Sequence, residues 1–216
     1  MKSISVSVIV PVHNGELYIG RCIRSLLNQT LNRDSYEIIV VNDASDDKTK
    51  QALSSFRGEI RYFENNKKLG LPGTLNVAIK QSKGQFIVRV DSDDYVHSEY
   101  LNILSLHLSL NNNLDAVACD YILVNNNQDA IREVNWNSKP IGCGVMFKTQ
   151  HIIKIGMYDK NFLAKEDEDL LIRFRKNFNV TRLPIPLYKY RQHNNNMTKN
   201  KNLLKKYSKK LKKKHI

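Results

Sequence analysis

Four apolar runs of strand length, each ending abruptly in polar residues, constrain this chain more than any other feature. They are VSVIVPV (Val6–Val12), YEIIVV (Tyr36–Val41), EIRYFE (Glu59–Glu64) and QFIVRV (Gln85–Val90). Helical patterns lie between them. Residues 16–28 put Ile19, Cys22, Ile23, Leu26 and Leu27 on one face. Ser45 is expected to cap a helix starting at Asp46, and Gly70–Ser82 reads as a helix with Pro72 in its first turn. Strand and helix alternating in this way imply right-handed crossovers and a mostly parallel sheet covered on both faces.

The second half is less regular. Ser98–Leu110 and residues 167–178 read as helices. Asp115–Val124 and Gly144–Lys148 read as strands, Asn125–Asp129 as a turn, and Val180–Leu183 and Leu187–Tyr190 as two short extended pieces.

In an open parallel sheet, ligands bind beyond the carboxyl ends of the strands. The residues there are His13, Asn14 and Gly15 after the first run and Asn42 and Asp43 after the second. The third is followed by NNKKLG and the fourth by DSDD (Asp91–Asp94). Two carboxylates as close as Asp91 and Asp93 stay ionised most easily around a cation. An all-oxygen set suits Mg²⁺ or Mn²⁺, with a diphosphate as the obvious co-ligand. Asp94 reads as a cap for the next element. A second acidic cluster, Glu166–Asp169, precedes a helix and complements its dipole. Asp169 and Arg173 have the spacing of an ordinary surface pair. Four acids exceed what the dipole needs, so one is a candidate general base.

Composition narrows the setting. Three scattered cysteines, Cys22, Cys119 and Cys143, without a Cys-x-x-Cys pair, suggest neither a disulfide framework nor a zinc site. No run approaches the roughly 20 apolar residues of a membrane span, and no signal-peptide pattern opens the chain. A cytoplasmic location is expected, peripheral to the inner face of a membrane. Of a net charge of +13, nine lysines fall in residues 199–216, where no acid occurs. Leu203, Tyr207 and Leu211 recur there at four-residue steps, so this tail reads as a basic amphipathic helix for an anionic membrane surface. No stacking or recognition-helix pattern points to nucleic acid. The single Trp136 offers an aromatic face for an acceptor sugar, or a core residue.

With these residues in view, the chain resembles the family-2 inverting glycosyltransferases. The matching segments are VSVIVPVHNGELYIGRCIRSLLNQT, EIIVVNDASDDKT, NNKKLGLPGTLNVAIKQSKGQFIVRVDSDD and KEDEDLLIRF. The resemblance implies an α/β fold of GT-A type in a single domain. A Rossmann-like nucleotide-binding half (about 1–95), with a mostly parallel central sheet, would be fused to a smaller metal and acceptor half (96–198). It implies that Pro11, Val12 and Asn14 lie against the nucleotide and that Asp43 accepts a hydrogen bond from a uracil-type base. Lys68, or its neighbour Lys67, would assist there, and Asp91 and Ser92 would lie near the ribose and diphosphate. Asp93 would hold Mn²⁺ or Mg²⁺, and Asp167, beside Glu166, would be the base. Relatives carry a Tyr-Arg-x-His similar to Tyr190–His193, which implies His193 at the metal or diphosphate with Arg191 assisting. The implied reaction moves one sugar from a nucleoside-diphosphate sugar, UDP-linked, to a hydroxyl of a glycan or lipid-linked acceptor. The Gln-x-x-Arg-Trp motif of processive synthases is absent. Two other readings are an Asp-x-Asp phosphohydrolase with Asp91 as nucleophile and a non-catalytic sugar-nucleotide-binding protein.

Overall fold

The computed structural model describes residues 4–193 and 196–215. The first strand, β1 (Val6–Val12), is buried along its whole length between two neighbours. Its side chains alternate: Val6, Val8, Val10 and Val12 pack toward α1 (Ile19–Leu27), while Ile9 faces the other layer. β2 (Tyr36–Asn42), α2 (Thr49–Ser54), β3 (Arg61–Glu64), α3 (Leu71–Gln81) and β4 (Phe86–Arg89) complete the regular half. β1 to β4 run parallel in the order β3-β2-β1-β4.

After β4 come β5 (Tyr95–Val96), α4 (Tyr100–Leu110), β6 (Ala116–Val124), β7 (Ala130–Val134) and β8 (Val145–Lys148). α5 (Thr149–Lys154), α6 (Glu166–Phe174), β9 (Val180–Arg191) and α7 (Lys201–His215) complete the order. β8 pairs antiparallel with β4 and with β6, so one sheet continues through both halves of the chain. Its path is β3-β2-β1-β4-β8-β6-β9-β5, with β7 on the flank of β6. Two apolar layers cover it. One holds α1 and α4 residues such as Ile23 and Leu104; the other holds Ile79, Leu171 and Phe174 from α3 and α6.

Several elements differ from the sequence expectations. Ser45 does not cap a helix. Its hydroxyl donates to Asn42 Oδ1 (2.5 Å) and accepts from the Asn14 amide (3.0 Å), so it ties the β2 loop to the β1 loop, and α2 starts only at Thr49. The two pieces expected at 180–183 and 187–190 are a single strand, β9. Pro184 and Pro186 cannot donate to a ladder, and the register with β6 shifts beside them, which is where prolines are tolerated. The sequence pattern gives no sign of β7 or α5. Trp136 is fully buried, and its indole N–H donates to the Ile141 carbonyl (3.0 Å). It is a core residue and has no open face for a sugar.

The tail forms a helix, but its apolar stripe is already in use. Tyr207, with Leu203, Leu204 and Leu211, packs on Phe162 and Ala164 of the body. Asp169, expected in a surface pair, is fully buried. It accepts from Arg173 Nε (2.9 Å), Lys214 Nζ (2.7 Å) and His215 Nε2 (2.8 Å). Among the described residues no helix is long and apolar enough to cross a membrane.

Candidate active site

Chain order reverses direction at β1, with β2 on one side and β4 on the other. The carboxyl ends of β1 and β4 therefore frame the crevice where open α/β sheets bind ligands. Pro11 fits this position. Val12 and Val10 point their backbone groups toward β2, as the Asp43 amide donating to the Val12 carbonyl (2.7 Å) shows. The missing N–H of Pro11 falls on the β4 side, where the ladder has already ended at the Ile9–Arg89 pair. Pro11 and Val12 are themselves buried, so their side chains shape the strand end without facing a ligand.

The loops beyond β1 and β2 are laced together. Asn14, in a left-handed conformation, donates its amide to Asp46 Oδ1 (2.6 Å) and accepts from the Asp46 backbone (3.1 Å). Thr49 Oγ1 accepts from Gly15 N (2.8 Å), and Asp47 Oδ2 from Glu16 N (3.0 Å). A Cβ on Gly15 would sit 2.6 Å from Val12 Cγ2, so glycine lets this loop fold back against the end of β1.

Asp43 is 3% exposed. Its carboxylate accepts from Leu69 N, Gly70 N and Asn65 Nδ2, each at 2.8 Å. Burial alone would raise its pKa, but these donors outweigh burial and hold it below the usual carboxylate range. The group fastens the loop ahead of α3 at the carboxyl end of β2. His13 stands at the same edge. Its Nδ1 lies 2.9 Å from the Asp43 carbonyl and its Nε2 2.7 Å from Lys68 Nζ. The carbonyl only accepts, so Nδ1 carries the proton and Nε2 receives the Lys68 ammonium. Lys68, of the two candidate lysines, is the one held beside the β1 loop.

The three aspartates after β4 have three distinct environments. Asp91 is gripped by Arg89, whose Nε reaches Oδ1 (2.5 Å) and whose second nitrogen reaches Oδ2 (3.0 Å). Asp93 is partly exposed, with Oδ2 2.8 Å from His193 Nε2. Burial, and then the Asp91 charge, raise its pKa, against the pull of His193. The His193 ring stacks on Tyr18 with centroids 5.1 Å apart. Asp94, expected as a cap, is an anchor: buried at 2% exposure, it accepts from the Tyr188 hydroxyl (2.7 Å) and from Arg191 N (2.8 Å). Arg191 is also buried, and its Nε donates to the Asp93 carbonyl (2.8 Å). It therefore holds the backbone of the loop that carries Asp93. Tyr18 and Tyr95 cover its guanidinium.

The second acidic cluster meets the first through Arg89, a residue that sequence reasoning missed. Arg89, 7% exposed, reaches Glu166 Oε1 with its remaining nitrogen (2.9 Å). One buried guanidinium thus joins the β4 loop to the start of α6. Glu166 is pushed up to about 7 by burial and by the adjacent Asp167 charge, with Arg89 opposing. Asp167 is half-buried, and burial raises its pKa as well. It accepts from Gly142 N (3.0 Å) and from Glu168 N (2.8 Å). A Cβ at position 142 would lie 2.4 Å from Asp167 Cβ, so that contact requires glycine. The available signal for Arg89 was a lone charge inside a buried strand, FIVRV, which demands buried partners.

Two groupings have metal-ligand character. Asp91, Asp94 and Cys143 bring ligand atoms within 4.8 Å of one another. Arg89 and Tyr188 already engage those carboxylates, and burial drives the Cys143 thiol well above its ordinary pKa. Asp93 with His193 is the better-fitting set, an oxygen and a nitrogen donor from two segments meeting at a partly exposed position. An O,N set suits Mn²⁺ more than Mg²⁺.

An α/β sheet with acidic groups at its switch point defines a class of fold that binds ligands beyond its strand ends, and comparison with known proteins gives the family. The model described as glycosyl transferase family 2 matches residues 7–167, and the chain belongs to that family. An Escherichia coli relative, UDP-Glc:alpha-D-GlcNAc-diphosphoundecaprenol beta-1,3-glucosyltransferase WfgD, is 28% identical over 211 residues, covering 93% of this chain and 82% of the relative. The poly(ribitol-phosphate) beta-glucosyltransferase of Bacillus spizizenii is 41% identical over 100 residues, 44% of this chain but only 16% of that protein. The chain thus matches a small part of such longer transferases. Among solved structures, Staphylococcus aureus TarS 1–349 in complex with UDP-GlcNAc superimposes with a TM-score of 0.79 at 23% identity, over 91% of this chain and 61% of that one. The mannosyltransferase PcManGT from Pyrobaculum calidifontis, in complex with GDP-Man and Mn²⁺, gives 0.73 at 18% identity, over 91% and 59%. These establish the GT-A fold.

Proposed function

We propose that this chain transfers one sugar from a UDP-linked donor to a hydroxyl of a glycan or lipid-linked acceptor, inverting the anomeric centre in a single displacement. The observation that carries the reading is the Arg89 bridge. It draws the donor-side acid, Asp91, and the start of α6 to one guanidinium, although the two are about seventy-five residues apart in sequence.

Each residue then has a physical task. The β1 and β2 loops, with Lys68 on His13, form the nucleotide half of the crevice. Ser92 and Asp91 border the ribose and diphosphate, with Arg89 fixing the Asp91 carboxylate. Asp93 and His193 would hold the divalent cation, which when bound neutralises charge growing on the leaving diphosphate. Asp167 accepts the acceptor proton. Its raised proton affinity, in a half-buried site beside Glu166, suits a general base. Glu166, held by Arg89, lies next to it. WfgD is named for a UDP-Glc donor and a diphosphoundecaprenol acceptor, which supports UDP as the nucleotide and a lipid-linked acceptor.

A phosphohydrolase would need Asp91 free to attack phosphorus, whereas both of its oxygens are bonded to Arg89. A non-catalytic binder would need no general base. The test is a panel of nucleoside-diphosphate sugars with Mn²⁺ or Mg²⁺, scored by nucleoside-diphosphate release and thermal shift. UDP with Mn²⁺ is expected to raise Tm, and Asp93→Ala to abolish the rise. No shift and no release with any donor overturns the reading.

A further inference from the structure

The basic helix α7 carries lysines in two roles. Lys214 is engaged by Asp159 and Asp169, and Lys210 donates to the Asn161 carbonyl (2.8 Å). Six others, Lys201, Lys205, Lys206, Lys209, Lys212 and Lys213, are exposed. At 3.6 residues per turn they fall on the arc opposite the Leu203–Tyr207–Leu211 stripe that packs on the body. No acid occurs anywhere in α7. The result is a one-sided row of positive charge about 18 Å long, at 1.5 Å rise per residue.

We propose that this outer face of α7 is a docking surface for an anionic phospholipid bilayer, held by charge alone and without insertion of the helix. Three observations carry it. First, the apolar residues that would enter a bilayer are already buried against Phe162 and Ala164. An interfacial helix that inserts needs that face free. Second, the outer arc holds lysines rather than arginine, glutamine or aromatic groups, so it offers point charges to a plane of phosphates and nothing to read base edges or stack on bases. Third, the face is anchored. Lys214 and His215 close on the buried carboxylate of Asp169, on the same helix that begins with Glu166 and Asp167. Docking therefore fixes the orientation of the α6 start relative to the bilayer. The use of that orientation rests on the lipid-linked acceptor proposed above; the binding itself does not.

The experiment is sedimentation of the full chain with vesicles of neutral phosphatidylcholine and with vesicles containing about 30% phosphatidylglycerol. A variant with all six outer lysines changed to glutamine is compared. The wild type is expected to bind the anionic vesicles at low salt, to ignore the neutral ones, and to lose at least about tenfold in partitioning when salt rises from about 50 to about 500 mM. The variant is expected to lose at least about tenfold at low salt, with Tm and transfer to a soluble acceptor unchanged. Binding that survives high salt would mean insertion and overturns the proposal, as does equal binding by the variant. Tighter binding to a DNA duplex than to anionic vesicles at the same salt also overturns it. If transfer to the soluble acceptor is absent from both proteins while vesicle binding behaves as expected, the functional reading fails and the surface stands.

Discussion

α6 and α7 each present a dense run of one charge, and the fold treats them in opposite ways. In α6 the four acids are separated by environment. Glu166 is buried on Arg89, Asp167 is half-buried on Gly142, Glu168 is exposed beside Lys165, and Asp169 is fully buried among Arg173, Lys214 and His215. In α7 the lysines remain in solvent, apart from the two engaged by the body. The difference arises from side-chain length and hydration. A short carboxylate fixed at a helix start can be enclosed if donors surround it, whereas a long, strongly hydrated ammonium is costly to enclose and easily reaches water. The two runs meet at one point, where Lys214 and His215 close on Asp169. A charge run therefore says little until each member's partner is known.

The largest expected effect tests the division of labour within α6. Asp167→Asn keeps the shape and the Gly142 contact but removes the base. Turnover is expected to fall about 10²–10⁴-fold with donor affinity unchanged. Turnover within about tenfold of wild type would move the base elsewhere. Next is the junction of the two helices. Asp169→Ala leaves Arg173, Lys214 and His215 facing a buried void, with an expected cost of about 3–5 kcal/mol in urea unfolding. Burial alone would raise the Asp169 pKa, but Lys214, His215 and Arg173 together depress it. Its contribution is therefore full above the unfolded value, near pH 4, and is lost as pH falls through the folded value. The wild-type advantage over the alanine variant should shrink in acid; an advantage that grows there contradicts the network.

Glu166 has the opposite sign. Its folded pKa, about 7, lies above the unfolded value of roughly 4.3, so the folded state holds the extra proton between them. Stability from this group is present below about pH 4.3 and declines as pH rises toward 7, by at most about 4 kcal/mol. Glu166→Gln is expected to flatten that slope and to lower the pH at which turnover rises, by removing the charge beside Asp167. Unaltered pH profiles of stability and turnover would reduce Glu166 to packing. The smallest effect is on the outer arc of α7, where Lys209→Gln is expected to leave Tm within about 1 °C. A larger shift would mean that the arc is in contact with the body.

Much of this was legible because periodicity is local. VSVIVPV and YEIIVV read as strands, and Ile19, Cys22, Ile23 and Leu26 as one helix face, and all of them are so in the fold. The acids at strand ends marked the edge of the sheet because a buried strand cannot continue through DSDD. What escaped were roles set by partners distant in sequence. Asp94, read as a cap, is bonded to Tyr188 and Arg191, nearly a hundred residues away. Arg191, read as assisting His193, is buried and holds the Asp93 backbone. Asp43, read only as a contact to a base, also fastens the next loop through Leu69 N and Gly70 N. β9 was read as two pieces because Pro184 and Pro186 break the local pattern, while pairing with β6 restores it.

The sequence by itself determined the alternation of strand and helix, the acidic edge, and a basic amphipathic C-terminal helix. Backbone periodicity and hydrophobic burial act over a few residues, so they leave their mark in the order of residues. Only the tertiary structure decided which acids are structural and which are left for chemistry. It also decided that the apolar stripe of α7 belongs to the body. Burying a charge or an apolar face requires a complementary surface, and here that surface comes from segments the chain brings together only on folding.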